Sequence, residues 1–365
     1  MPNKSIKYII PLILLLISCS SNSSIISSST TSSISSSITN DLDLSIFNST
    51  PLEDELDVYG YKPIYKDSTF RGGFEVSKCK YNQGESPHHD EILQVYEDSV
   101  YKQYWGIAQW NSRFDIYDNN GMRINHSKDG LIHEITSNGI VKDGILYPGK
   151  KIRFNTKTGE HYLESNGYAE YDELRKSPDV PWAHLLFGQS WEQDELINLS
   201  SCQDVIIATD FTVTKCDDMN PNNHEDFHAV QFVFYITLQN RRIGSKDFGK
   251  YIWFGIPLFD NRYQNQETKL WYAIDKGTNS YMYKPSSIDV MTFNDGQCPS
   301  INEKTMIRYN AKEAMINAVN TIIEITNWED TKLEDIYFGS TNYGFENGGM
   351  YNIGVEIEDF GVFYR

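Results

Sequence analysis

The run Ala229-Val230-Gln231-Phe232-Val233-Phe234-Tyr235-Ile236-Thr237-Leu238 decides the fold class of this 365-residue chain. Val230, Phe232, Phe234, Ile236 and Leu238 fall on one face of an extended backbone. Gln231, Tyr235 and Thr237 fall on the other. Side chains of a strand alternate between its faces, so period two with a mixed second face predicts a sheet with one side in a core. A helix would scatter these apolar residues around its axis.

Working outward, the same signal recurs. Val205 to Thr214 and Tyr251 to Leu258 read as strands. Near the end, Tyr351, Ile353, Val355 and Ile357 alternate with Asn352, Gly354, Glu356 and Glu358. Phe70–Cys79, Val100–Trp110, Leu131–Ile135, Ile140–Leu146 and Glu160–Tyr171 fit strands as well. In Val100–Trp110, Trp105 and Trp110 take opposite strand faces, which makes at least one of them a candidate for a core. Turn signals such as Asp118-Asn119-Asn120-Gly121 and Asn347-Gly348-Gly349 divide the segments. One helix is expected. Ser300-Ile301-Asn302-Glu303 reads as a capping box, and Ile307, Ala311, Ala314, Ala318 and Ile322 give a helical stripe, placing an amphipathic helix near residues 301–325. Many strands with few helices, and no strand–helix alternation, predict a mostly-β sandwich or jelly roll of concanavalin-like build.

The N-terminus is organised differently. Lys4 and Lys7 precede Tyr8-Ile9-Ile10-Pro11-Leu12-Ile13-Leu14-Leu15-Leu16-Ile17. A basic start and an apolar run of about ten residues make a signal peptide, too short to span about 30 Å of hydrocarbon. A transmembrane anchor is the competing reading. Leu16-Ile17-Ser18-Cys19 resembles the lipobox of bacterial lipoproteins. That resemblance implies cleavage before Cys19, acylation of Cys19, and, with Ser20 following, an outer-membrane or cell-surface location. Residues 20–40 are nearly all Ser, Thr, Ile and Asn, too poor in apolar surface to offset chain entropy, and read as a tether. The expected organisation is therefore signal peptide 1–18, lipidated cysteine and linker 19–45, and a domain over 46–365. Within it, an N-terminal β subregion of 46–175 packed on a jelly roll of 176–365 is an alternative.

Charge excludes some partners. The net charge of −18 becomes −20 once Lys4 and Lys7 are removed. Nucleic acid binding rests on basic patches that neutralise phosphate, and adsorption on anionic lipid needs the same sign. Membrane contact is expected through the lipid alone. Cys79, Cys202, Cys216 and Cys298 remain after Cys19, with three pairings open. Cys202 and Cys216 bracket one strand, and a bond between them is geometrically unforced.

Signatures of phosphate loops, nucleophile elbows and zinc proteases are missing. Asp217, Asp218, Asn220 and Asn222 form an acidic loop whose hard oxygens suit Ca2+ as the one candidate cofactor, against the reading of a solvated loop. The more informative constellation is Pro181-Trp182-Ala183-His184-Leu185-Leu186-Phe187-Gly188-Gln189-Ser190-Trp191, with His228, Gln231, Trp253, Asp260, Arg262, Trp271 and Tyr272 further on. Polar groups inside apolar strands must find partners. They form either a buried network or a groove in which aromatic faces stack on sugar rings and polar groups bind hydroxyls. His228 shares the parity of Val230 and so fits a core position.

The segments Pro181–Leu186, Trp253–Arg262 and Tyr337–Glu346 resemble secreted bacterial jelly-roll proteins similar in build to carbohydrate-binding and polysaccharide-lyase sandwiches. The resemblance covers roughly 180–365 and implies a poly- or oligosaccharide partner. The alginate-lyase-like strand patterns are absent. Trp182, Gln189, Trp253, Asp260, Trp271 and Tyr272 are the candidate glycan contacts. For a lyase, His184 or His228 would serve as base, and Arg262 and Gln231 would neutralise a uronate. A hydrolase would need two spaced carboxylates, and a chain with 50 acids leaves the pair open. A structural or adhesive surface protein is the third class.

Overall fold

The computed structural model describes residues 44–48, 56–77, 89–93, 101–117, 122–192, 195–221, 227–275, 278–326 and 328–365. Its strands in chain order are β1 (Lys62–Pro63), β2 (Phe74–Ser77), β3 (His89–Leu93), β4 (Trp105–Ala108), β5 (Arg123–His126), β6 (Ile132–Thr136), β7 (Gly139–Lys142), β8 (Ile145–Pro148), β9 (Lys150–Asn155) and β10 (His161–Asn166). They continue as β11 (Ala183–Ser190), β12 (Val205–Asp218), β13 (Val230–Asn240), β14 (Tyr251–Asp260), β15 (Trp271–Ile274), β16 (Tyr281–Lys284), β17 (Lys304–Asn310), β18 (Ile336–Asn347) and β19 (Tyr351–Tyr364). The α-helices are α1 (Gly167–Glu170), α2 (Ser287–Val290) and α3 (Lys312–Ile325).

The chain is a mostly-β sandwich of two large sheets. An eight-stranded sheet runs β17-β12-β19-β10-β9-β6-β5, with β1 also on β19. A nine-stranded sheet runs β15-β16-β14-β13-β18-β11-β4-β2-β3. Strands from before and after residue 175 enter both sheets. The main core lies between them. Val230, Phe232, Phe234, Ile236 and Leu238 of β13 meet Ile207, Phe211, Ile353, Val355 and Ile357 of the opposing sheet, all buried. The alternation read from residues 229–238 is the one the core uses. A smaller cluster covers the far side of the eight-stranded sheet, where Phe47, Leu56 and Tyr61 close over Ile206, Ala208 and Phe363.

Two expectations need correction, and one open question, the cysteine pairing, is answered for three of the cysteines. The helix begins at Lys312, and residues 304–310 form strand β17 on β12. Ser300–Glu303 caps nothing: Asn302 takes a left-handed φ of 66°, which turns the chain into the strand. Ile307 and Tyr309 are buried at strand spacing, whereas Ala318 and Ile322 are buried on the helix. The proposed strand Ile140–Leu146 is a hairpin, β7 and β8, because Asp143 and Gly144 both have positive φ, 53° and 77°, as a two-residue turn between twisted strands requires. Cys202 and Cys216 are both free. They stand at opposite ends of the extended run through β12, more than about 30 Å apart at the rise of a strand, while a disulfide needs Cα atoms within about 7 Å. Cys298 is also free. Cys19 and Cys79 lie outside the described residues.

Candidate functional site: the outer face of the nine-stranded sheet

The residues of β13 that do not enter the main core point the other way. With them, Ala108, Trp110, Leu186, Val233, Tyr235 and Met282 form a second cluster on the outer face of the nine-stranded sheet, with Trp253 packed against it. Strand register then aligns polar side chains across that face. His184 of β11 stands opposite Glu346 of β18, Glu346 opposite Gln231 of β13, and Gln231 opposite Asp260 of β14. Four consecutive strands thus contribute one row. All four members are at least nine-tenths buried.

Electrostatics gives each end of the row a different character. Asp260 accepts from Gln231 Nε2 at 2.7 Å and binds Arg262 twice, from Nε at 2.9 Å and from the terminal nitrogen at 2.6 Å. It also accepts from the Arg262 backbone N–H at 3.0 Å and so caps the turn Asn261–Tyr263. Burial works against the Arg262 charge, but the Asp260 carboxylate outweighs it and the guanidinium pKa is raised. At the other end, burial pushes His184 down to about 4. Its Nδ1 lies 3.2 Å from Trp110 O, and its ring meets the Trp110 ring edge-on. His184 Nε2 is 3.9 Å from Glu346 Oε1. A neutral imidazole at that distance makes no ion pair with Glu346, whereas Asp260 and Arg262 are paired at 2.6 Å.

Further along the face the sheet opens. Gly188, Asn342, Tyr235 and Gly255 follow one another across β11, β18, β13 and β14. Two glycines are required there by close approach. A Cβ on Gly255 would stand 2.4 Å from the Tyr235 ring, and one on Gly188 2.5 Å from Asn342 Oδ1. The Tyr235 ring therefore lies against Gly255 and meets Trp253 edge-on at 5.9 Å, while Tyr251 meets Trp253 at 5.3 Å. Lys284 Nζ sits 5.3 Å from the Tyr235 ring and 5.6 Å from the ring of Trp271, which is 36% exposed. Ser190 is exposed, and Ser340, Trp253, Tyr251 and Gln239 are half-buried. This half presents aromatic surfaces with hydroxyl, amide and ammonium groups between them.

The other candidate residues are placed elsewhere. Trp182 is 2% exposed, lies under Arg175 at 5.5 Å and against Gly348, where a Cβ would clash at 2.5 Å. Arg175 itself donates to the carbonyls of Val180, Phe227 and Gly348, so Trp182 is part of a loop clamp and offers no open face. Gln189 points into the sandwich and exchanges hydrogen bonds with the backbone of Lys66, at 3.1 and 2.6 Å. His228 is buried with Nε2 2.9 Å from Arg175 O, the core position its parity suggested. Tyr272 packs against the main core. Asp217 and Asp218 are consecutive strand residues and face opposite sides of β12. Asp218 Oδ1 accepts from Asn220, and Asn220 Oδ1 accepts from Met350 N. Asn222 lies outside the described residues, among which no group of three or more His, Cys, Asp or Glu gathers for a metal.

Glu346, Asn342, Tyr235 and Lys284 were not singled out from sequence. The alternation Ser340, Asn342, Gly344, Glu346 against Thr341, Tyr343, Phe345 held the signal for two of them, since the second set is core-facing.

No family model and no curated protein matches this chain. Solved structures do. A thermostable cellulase derived from the Cel12A cellulase of Rhodothermus marinus is 14% identical, with a TM-score of 0.37, covering 71% of this chain and 100% of its own. The family 12 xyloglucanase of Bacillus licheniformis is 10% identical, with the same score and coverage. The family 11 xylanase of Neocallimastix patriciarum is 8% identical at 0.33, covering 68% and 97%. At these identities and scores no site residue passes from them to this chain.

Proposed function

We propose that this chain is a glycan-binding protein, held outside the cytoplasm by a lipid on Cys19, whose ligand lies across the open half of the outer sheet face. One observation carries the reading. Trp253, Tyr251 and Trp271 leave ring surface accessible beside Gln239, Ser340 and Lys284, on a rigid sheet. Sugar C–H faces stack on such rings, while the polar groups take the hydroxyls. The strongly acidic remainder of the chain favours a neutral saccharide or one met by Lys284. Affinity electrophoresis against a polysaccharide panel that includes cellulose and xyloglucan tests it. Retardation by at least one glycan, reduced in Trp253→Ala and Trp271→Ala, supports the reading; unretarded migration on every glycan overturns it.

The anchor has its own test. Labelled palmitate should enter the wild-type chain and not Cys19→Ser, which should leave the membrane fraction; an equal membrane fraction for both removes the lipid from the proposal.

A hydrolase is the second reading, and one observation favours it. Glu346 and Asp260 occupy the same row of the same face, separated only by β13. Two strand spacings put their Cα atoms about 9.5 Å apart, near the about 6.5–9.5 Å that separates the carboxyls of inverting glycosidases. Their burial requires the cover over the row to open for substrate. Reducing-sugar release that disappears in Glu346→Gln supports this reading; release unchanged in that variant excludes it.

A further inference from the structure

Away from the outer sheet face, three histidines fall on one row of the eight-stranded sheet. His126 of β5 pairs with His133 of β6, His133 with Phe154 of β9, and Phe154 with His161 of β10. His161 is enclosed, its Nε2 at 2.9 Å from the Tyr343 hydroxyl and its Nδ1 at 2.8 Å from Gly159 O, and the Phe154 ring stands between it and the others. His126 and His133 are different. Their Nδ1 atoms face each other at 2.7 Å, with ring planes 75° apart. His133 is 3% exposed and stacked on Phe154 at 5.4 Å, which fixes its ring. His126 is exposed, on an edge strand all of whose residues are exposed.

We propose that His126 and His133 form a two-histidine site for a borderline divalent transition metal such as Zn2+ or Ni2+, with water completing the coordination shell. Directly opposed residues of an antiparallel pair hold their Cβ atoms about 4.5–5.5 Å apart, close enough for two imidazoles to converge on one ion. A neutral imidazole presents one bare nitrogen, and imidazole nitrogen suits Zn, Ni and Cu. Without metal, a hydrogen must lie between the two Nδ1 atoms. With metal, both rings carry their hydrogen on Nε2 and both Nδ1 lone pairs point at the ion, so two neutral rings bind it with no net proton change. At Zn–N lengths of about 2.0–2.1 Å in a tetrahedral shell the nitrogens stand about 3.3 Å apart, so the rings must part by about 0.6 Å from their present 2.7 Å. The exposed His126 side leaves room for the water ligands. The ion would tie the edge strand β5 to β6, and the acidic chain draws cations toward it.

The chain has eight histidines, so the test must isolate this pair. Metal-free full-length domain is titrated calorimetrically with Ni2+ and with Zn2+ at pH 7.5, alongside His126→Asn and the control Lys128→Ala. We expect micromolar binding, and the loss of one bound ion per chain or at least a tenfold rise in Kd in His126→Asn, with Lys128→Ala unchanged. Hydrogen exchange of the β5–β6 amides should slow on metal addition in the wild type alone. Because His126 is exposed, the variant should keep the metal-free melting temperature. No binding by the wild type, or the same stoichiometry and Kd in His126→Asn, overturns the proposal.

Discussion

His184 on β11 faces Glu346 on β18 across the strand register, with Nε2 3.9 Å from the carboxylate, and yet the imidazole is neutral. Burial explains it: removing water disfavours the charged ring more than a carboxylate at that distance favours it. His161, enclosed among Phe70, Phe187 and Tyr343, is pushed down to about 4 for the same reason.

These two histidines give the fold a defined acid sensitivity. Their folded-state pKa of about 4 lies below the 6.5 of an unfolded histidine. Between those values the unfolded chain binds more protons, so stability rises with pH across that window. Their contribution is complete above about pH 6.5 and is lost as pH falls toward 4, on the order of 3 kcal/mol for each. Urea unfolding at pH 7 and pH 4.5 checks this: His161→Gln should flatten the pH dependence, and an identical slope would rule His161 out as a source.

Asp260 is the sole carboxylate that Arg262 pairs with among the described residues. Asp260→Ala leaves a largely covered guanidinium without its counter-charge, and takes the acceptor from Gln231. Because the Arg262 side chain keeps 29% exposure, the cost should be about 2–4 kcal/mol, at the lower end for broken buried pairs. Asp260→Ala/Arg262→Met should recover part of it. The midpoint of urea denaturation for the three proteins measures both steps.

Trp182, just before β11, and Trp253, on β14, should behave oppositely. Trp182→Ala opens space beside Gly348 and Arg175 and should lower stability by about 3–5 kcal/mol. Trp253→Ala, at a half-buried ring, should cost less than half of that and should weaken glycan retardation at least tenfold. Melting curves and affinity gels on the same preparations separate the two roles.

The three described thiols should react slowly in the native state. Burial raises Cys202, and raises Cys216 to about 12 and Cys298 to about 11, aided for the latter two by neighbouring carboxylates. Thiolate is the reactive form, so Ellman's reagent at pH 8 should find no fast-reacting thiol in the Cys19→Ser/Cys79→Ser domain, and three after denaturation. Adding reductant should leave its melting temperature unchanged.

The sequence by itself determined the mostly-β class and, in its most regular segments, which side chains face the core. The alternation in residues 229–238 and 351–357 survives intact, because the two-residue period belongs to the extended backbone and needs no partner to be visible. It also placed Gln231 off the core face. Tertiary structure decided the rest. Residues 300–311 carry both a capping pattern and strand spacing, and pairing of Lys304–Asn310 with β12 settles them as strand. Glu346 joins His184, Gln231 and Asp260 only through register between strands up to 162 positions apart in sequence. The same is true of Trp182, whose aromatic ring promised a platform until Arg175 closed over it. Periodicity is written locally along the chain. Register, cover and the meeting of His126 with His133 are set by hydrogen bonding and packing between segments, and neither composition nor spacing within one segment encodes them.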